Sequence, residues 1–140
     1  MNKIAIKKLS PYAILPTRAH KEDVGLDIYS LDSATVEPGK GHTFSTGIAG
    51  EFIPGYVGML ADRSSMAKKG FKLSGGIIDP GYSGELMVVL RNISSISLHV
   101  SKGDRIAQLL IIPALTPEVI EVEELSDSVR KDKGFGSSGR

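Results

Sequence analysis

The chain has no cysteine and no tryptophan. Without cysteine there are no disulfides, no thiolate metal sites and no thiol nucleophile, which suits a reducing compartment. Net charge is also slight, since 17 Lys and Arg against 16 Asp and Glu leave +1. That is too little for the basic footprint of a nucleic-acid-binding domain, so no nucleic-acid partner is expected. No apolar run approaches the roughly 20 residues that span a bilayer, and MNKIAIKKLS at the N-terminus lacks the apolar core of a secretory leader. No membrane partner is expected either, and the chain reads as cytoplasmic, or nuclear in a eukaryotic or viral setting. No GxxxxGK[ST] phosphate loop occurs. His20, His42 and His99 are scattered, with no pair at metal-ligand spacing, and read as structural or solvated.

What is present is turn chemistry. With 140 residues, 41% of them hydrophobic, 16 glycines and 7 prolines, the chain suits one domain of short strands around a modest core. Strands are expected over 4–6, 24–29, 34–37, 42–47, 51–53, 56–60, 86–90, 97–100, 105–112 and 119–122. Within the second, alternation points Asp27 to solvent between Leu26 and Ile28. The most apolar strand, 105–112, is interrupted by Gln108. A buried amide needs partners, so Gln108 either bonds backbone across a sheet or faces a ligand. Residues 62–70 predict one short helix, with Ser64 as N-cap, lysines at its negative end and Gly70 ending it. It is either a connector or an anion site built from its first amides with Arg63, Ser64 and Ser65.

Two stretches carry more than architecture. Residues 75–85, GGIIDPGYSGE, read as two apolar arms closing on a type II turn at Asp79-Pro80-Gly81-Tyr82. Asp-Pro-Gly is common in surface turns. The sharper reading is a hairpin whose bare backbone reads a flat ligand while Asp79 works beside it. Residues 126–140 are polar and then glycine-rich, with only Val129 and Phe135 apolar. They form either a frayed end or an arm over a highly charged ligand. In the second case Gly134, Gly136 and Gly139 supply amides, Ser137 and Ser138 hydroxyls, Arg130 a guanidinium fork and Phe135 a stacking face. Ordering costs about 1–2 kcal/mol per residue, which only several charge-assisted hydrogen bonds would offset.

Five segments, in order, resemble the motifs of the trimeric dUTP diphosphatase (dUTPase) family. They are Val24 to Ser30 (VGLDIYS), Arg63 to Gly70 (RSSMAKKG), Gly75 to Glu85, Gly103 to Leu109 (GDRIAQL), and Arg130 followed by Gly134 to Gly139 (GFGSSG). The resemblance implies an all-β fold, a compact jelly-roll-like β-barrel of the dUTPase or β-clip type with one short helix over residues 1–125. A flexible C-terminal arm, 126–140, would close over an active site. It further implies a homotrimer with shared active sites, and Mg²⁺-dependent hydrolysis of dUTP to dUMP and pyrophosphate. That reaction limits uracil in DNA and supplies dUMP for dTTP synthesis.

The resemblance also implies roles for single residues. Asp79 would be the general base that activates water against the α-phosphorus. Gly76, Ile77 and Ile78, with Met87 beyond the turn, would surround and read the uracil. Tyr82 would lie under the deoxyribose and exclude a 2′-hydroxyl. Ser64, Ser65 and Gln108 would meet the α- and β-phosphates, and Arg63 would brace either the triphosphate or the trimer. Arg130, Ser137 and Ser138, with the Gly136 amide, would hold the γ-phosphate, and Phe135 would cover the base. Asp27 would reach Mg²⁺ through water.

Three departures from the family pattern stand out. Gly81 replaces a second acid, Asp62 replaces a proline and puts an acid beside the phosphate site, and Lys131 replaces a glycine. The Asp-Pro-Gly form is shared with the related dCTP deaminases. Those need a glutamate where Val89 stands, and no neighbour on that strand could act as base. A non-catalytic jelly-roll binding module remains a further class, because fold does not fix function.

Overall fold

A computed structural model describes residues 3–126. The most apolar stretch of the sequence becomes the middle of the largest sheet. β11 (Arg105–Pro113) pairs antiparallel with β2 (Leu26–Tyr29) on one edge and β6 (Tyr56–Ala61) on the other, and β6 carries β8 (Ile77–Ile78) outermost. A register shift between Arg105 and Ala107 breaks the alternation, so the consecutive Ile106 and Ala107 are both buried. A second antiparallel sheet runs β4 (Gly41–Phe44), β9 (Val88–Asn92), β7 (Phe71–Ser74). Two smaller pairs complete the wall: β1 (Ile6–Lys8) with β5 (Ile48–Gly50), and β3 (Ala34–Val36) with β10 (Leu98–Val100). Their inner faces share one core, in which Ile28, Phe44, Phe71, Leu90, Ile106 and Leu109 are fully enclosed. This is the expected all-β, jelly-roll-like barrel. Its helix, α1 (Ser64–Lys69), is anchored by the buried Met66 and stopped at Gly70, whose φ is 109°. Among the described residues, no helix is long and apolar enough to cross a membrane.

Several local expectations fail for identifiable reasons. Ser64 does not cap α1. It is the first helical residue, and Arg63, extended at φ −89° and ψ 138°, holds the cap position with no side-chain cap bond. The strand expected over 51–53 falls at Ile48–Gly50 instead, because Phe52 leaves the ladder to lie across the barrel wall. A Cβ at Gly58 would stand 2.3 Å from the Phe52 ring, so only glycine lets the ring settle there. β7 has no counterpart among the expected strands, although Phe71 and Leu73 alternate inward along it. Nor is there a strand over 119–122. Val119 and Ile120 are 93% and 71% exposed, and Leu115 and Leu125 are exposed on either side, so this stretch finds no strand to pair with among the described residues. The two arms of residues 75–85 do not pair with each other. β8 pairs with β6, while Glu85 bridges Ala49 and the Leu86 amide donates to the Ile48 carbonyl at 2.8 Å.

The turn between those arms is therefore suspended from three parts of the barrel. β8 holds its entry. The Gly81 amide donates to the Phe52 carbonyl at 3.1 Å, and the turn closes from the Tyr82 amide to the Asp79 carbonyl at 3.2 Å, with Gly81 at the φ of 84° that a type II turn requires. The exit is gripped by a carboxylate. Glu85 Oε1 accepts from the Ser45 hydroxyl at 2.5 Å, the Gly47 amide at 2.6 Å and the Thr46 amide at 3.0 Å. Burial pushes the Glu85 pKa up, but the Ser45 hydroxyl and the Gly47 and Thr46 amides outweigh it and hold it below the usual carboxylate value.

Two predictions follow from these contacts. Asn92 is fully buried; its amide donates to the Val36 and Ile96 carbonyls at 2.8 and 2.7 Å, and its oxygen accepts from Ser94. Asn92→Leu should lower unfolding stability by about 2–4 kcal/mol, read from denaturant midpoints, because its former partners would be left unsatisfied. Glu85 binds its proton less readily folded than unfolded. Its contribution is complete above the ordinary carboxylate range and is lost as pH falls through its lowered native value. Glu85→Gln should accordingly flatten the acid side of a Tm-against-pH curve, and an unaltered acid side would remove Glu85 from the pH response.

Candidate active site

Apart from Ser65, which lines neither, the candidates within 3–126 fall in two cavities that have no lining residue in common. The first, of about 270 Å³, lies under the turn. Gly76, Ile77, Ile78, Asp79, Tyr82 and Met87 line it, above the buried Leu60 and Leu86. β8 is the outermost strand of its sheet, so its backbone groups facing away from β6 meet no strand and remain open to the edge of a ligand. Ile78 is packed into the core and Ile77 is exposed beside it. Asp79 stands exposed on the rim, and among the described residues its carboxylate has no hydrogen-bond or ion-pair partner. Tyr82 bridges the turn, its hydroxyl donating to the Glu85 carbonyl at 2.9 Å.

The second cavity, of about 300 Å³, is polar, and Asp27, Arg63, Ser64 and Gln108 face it. Asp27 organises this side. Arg63 Nε donates to its Oδ1 at 2.7 Å and Arg105 Nη1 to its Oδ2 at 3.2 Å. The same Arg63 donates through Nη1 to the Ser65 hydroxyl and the Arg105 carbonyl, both at 3.1 Å. Alternation does turn Asp27 away from the core, yet its side chain is only 14% exposed, because the two guanidinium groups cover it. Gln108 meets both expectations, lining this cavity while its Nε2 donates to the Asp62 carbonyl at 2.8 Å. Its Oε1 lies 2.1 Å from where a Cβ on Gly25 would stand, so any larger residue there would push the amide aside.

Asp62 does not place its charge beside the candidate phosphate site. Its carboxylate accepts the Leu73 amide at 2.6 Å and ion-pairs with Lys72, both on β7. Arg130, Phe135, Gly136, Ser137 and Ser138 lie outside the described residues.

The residues present fit a divalent cation only in one way. Among the described residues, no three His, Cys, Asp or Glu side chains cluster to hold a metal. Asp27 faces the polar cavity, and each of its oxygens already accepts one guanidinium hydrogen. Each keeps a second lone pair, enough to accept from a hydrated ion but not to form a cage.

One positioning residue escaped the sequence reading. Glu85 closes the third motif, but nothing local tells that its partners are Ser45, Thr46 and Gly47, some 40 positions earlier. The nearest signal is a polar Ser-Thr-Gly run between the apolar Phe44 and Ile48, where a strand would otherwise alternate.

Comparison with known proteins agrees with this geometry. The dUTPase family profile matches residues 11–139. A deoxyuridine 5′-triphosphate nucleotidohydrolase of a Hydrogenobaculum species is 43% identical, over 98% of each chain. The dUTPase of Staphylococcus bacteriophage 80alpha, solved with dUPNHPP, superposes with a TM-score of 0.94 at 36% identity, over the whole of both chains. A mutant dUTPase from phage phi11 of S. aureus, described for its coordination of a structural Mg(II) ion, has a TM-score of 0.84 at 30% identity and covers 90% of this chain and 100% of its own. With one profile spanning nearly all of the sequence and relatives matching end to end, the chain belongs to the dUTPase family.

Proposed function

We propose that this chain hydrolyses dUTP to dUMP and pyrophosphate, with Asp79 as the general base. The observation that carries the reading is the state of its carboxylate. Of the four acids lining the two cavities, Asp23 and Asp27 accept from neighbouring groups, Glu85 is clamped, and Asp79 alone has no partner among the described residues. A free carboxylate on the rim can take the proton of a water whose oxygen bonds to the α-phosphorus, while the bond from that phosphorus to the bridging oxygen breaks and pyrophosphate leaves in line.

Base and sugar selection belong to the first cavity. Uracil offers acceptor, donor and acceptor along its pairing edge, which the open backbone of β8 at Ile77 and Ile78 can match, with Gly76 and Met87 around it. Cytosine inverts part of that pattern and would leave buried groups unpaired. Tyr82 lies where a deoxyribose would rest. Ser64, Ser65, Arg63 and Gln108 meet the phosphates, and Mg²⁺ carried with the triphosphate would touch Asp27 through its water shell and neutralise phosphate charge. Arg130, Gly136, Ser137 and Ser138 would clasp the γ-phosphate, with Phe135 over the base.

A homotrimer with shared sites completes the reading. Asp79 and the cation-bearing cavity lie in separate places on one chain, and a neighbouring copy can bring the second half of a site to the first. The exposed apolar residues between Leu115 and Leu125 add surface that a neighbour would cover.

Pyrophosphate release should be confined to dUTP among dUTP and the four standard deoxynucleotides, and should require Mg²⁺. No release from dUTP removes the proposal. Asp79→Asn should lower kcat by roughly 10²–10⁴-fold while nucleotide affinity holds, and unchanged turnover would exclude Asp79 as the base. Removal of residues 134–140 should abolish most hydrolysis while sedimentation still reports three chains. Normal turnover in the shortened protein would show that these residues take no part.

A further inference from the structure

We propose that Glu85 is a positioning residue for sugar selection: its side chain fixes the backbone carbonyl that aims the Tyr82 ring, and so sets how firmly the site rejects a 2′-hydroxyl. This rests on the reading of Tyr82 as the deoxyribose shelf.

The Tyr82 ring forms a wall between two cavities, about 270 Å³ on the Asp79 side and about 350 Å³ on the side of Phe52 and Ala49. With space on both sides and 46% of the residue exposed, packing alone does not select one ring orientation. Two local contacts do. The hydroxyl donates to the Glu85 carbonyl at 2.9 Å. The ring also lies over Gly84, where a Cβ would fall 2.6 Å from the hydroxyl oxygen and 2.8 Å from Cζ. Gly84 permits the close approach, and the hydrogen bond fixes it.

That bond directs the ring only if the accepting carbonyl stays still, and Glu85 is what holds it. Its Oε1 alone gathers the Ser45 hydroxyl and the Thr46 and Gly47 amides. The next residue is held on both sides, the Leu86 amide donating to the Ile48 carbonyl at 2.8 Å and the Leu86 carbonyl accepting from the Thr46 hydroxyl at 2.6 Å. The Glu85 carbonyl thus sits between a side-chain clamp and a backbone clamp, both on the segment from Ser45 to Ile48. Without the carboxylate, the Ser45, Thr46 and Gly47 donors lose their shared acceptor. The link from Gly84 to Leu86 gains freedom, and the ring moves with it.

The test compares kcat/KM for dUTP with that for UTP in the full chain, alongside thermal melts. Glu85→Ala should lower the dUTP-to-UTP preference by roughly tenfold, chiefly through a lowered KM for UTP. Glu85→Gln keeps an acceptor oxygen and should retain most of the preference. Tyr82→Phe keeps the ring but not its bond, and should resemble Glu85→Ala. The double variant Glu85→Ala, Tyr82→Phe should be no worse than either alone, because both cut one chain of contacts. A folded Glu85→Ala protein with unaltered preference overturns the proposal, as does an unaltered preference in Tyr82→Phe. If Glu85→Ala does not fold, Ser45→Ala and Tyr82→Phe carry the same comparison. A wild-type protein inactive on dUTP overturns the functional reading and this inference with it. An active wild type with unaltered variants overturns the inference alone.

Discussion

Asp27 between Arg63 and Arg105 is the contact on which the polar half of this molecule depends. It joins the strand β2, the residue that enters the helix and the start of β11, three segments far apart in sequence. Arg63 adds a bond to the Arg105 carbonyl and another to Ser65, so one guanidinium ties strand, strand and helix together. With Asp27 absent, two cations would face each other beside a partly buried wall with nothing between them, an arrangement that costs more than the loss of one surface ion pair. The Arg63 guanidinium facing the cavity is therefore held in place, so the phosphate contact proposed for it would need little reorganisation.

The apolar half obeys a different constraint. The open edge of β8 borders its cavity, and backbone at a sheet edge keeps its geometry only when its ends are fixed. β8 fixes one end on β6, the Phe52 carbonyl fixes the middle and the Glu85 carboxylate fixes the other end. Asp79 lies in the short free span, rigidly placed yet with its own oxygens unengaged. The contrast with Asp27, whose oxygens are both engaged, separates a carboxylate suited to chemistry from one suited to architecture.

The sequence discloses the barrel where burial imposes a period. β2 alternates around Leu26 and Ile28, and β11 is apolar enough to declare itself central. It misleads where a partner is remote. The β-branched residues of 119–122 suit a strand, but pairing is a property of two segments, and among the described residues no second one lies beside them. Phe52 reads as strand because an aromatic suits a pleated surface, and only Gly50 and Gly58 in space explain why it lies flat instead. Turn, helix and strand patterns together with the family motifs single out Asp79, Tyr82, Ser64 and Gln108, and the structure sets the first two on one cavity and the last two on another. The same patterns do not reveal the roles of Glu85 and Asp62, because their partners lie on other strands and a lone acid after a turn or before a helix has many possible uses.

The uncovered row from Leu115 to Leu125 has a consequence for the life of a newly made copy. Four of its apolar side chains, Leu115, Val119, Ile120 and Leu125, are more than two-thirds exposed, on a stretch with no hydrogen-bonded strand beside it. An isolated copy thus carries a sticky, extended ribbon with open main-chain groups, the kind of segment that recruits strangers as readily as kin. In the trimer proposed above, dilution would favour that hazard and crowding with identical copies would relieve it, which would make the durability of the folded enzyme a matter of its own abundance.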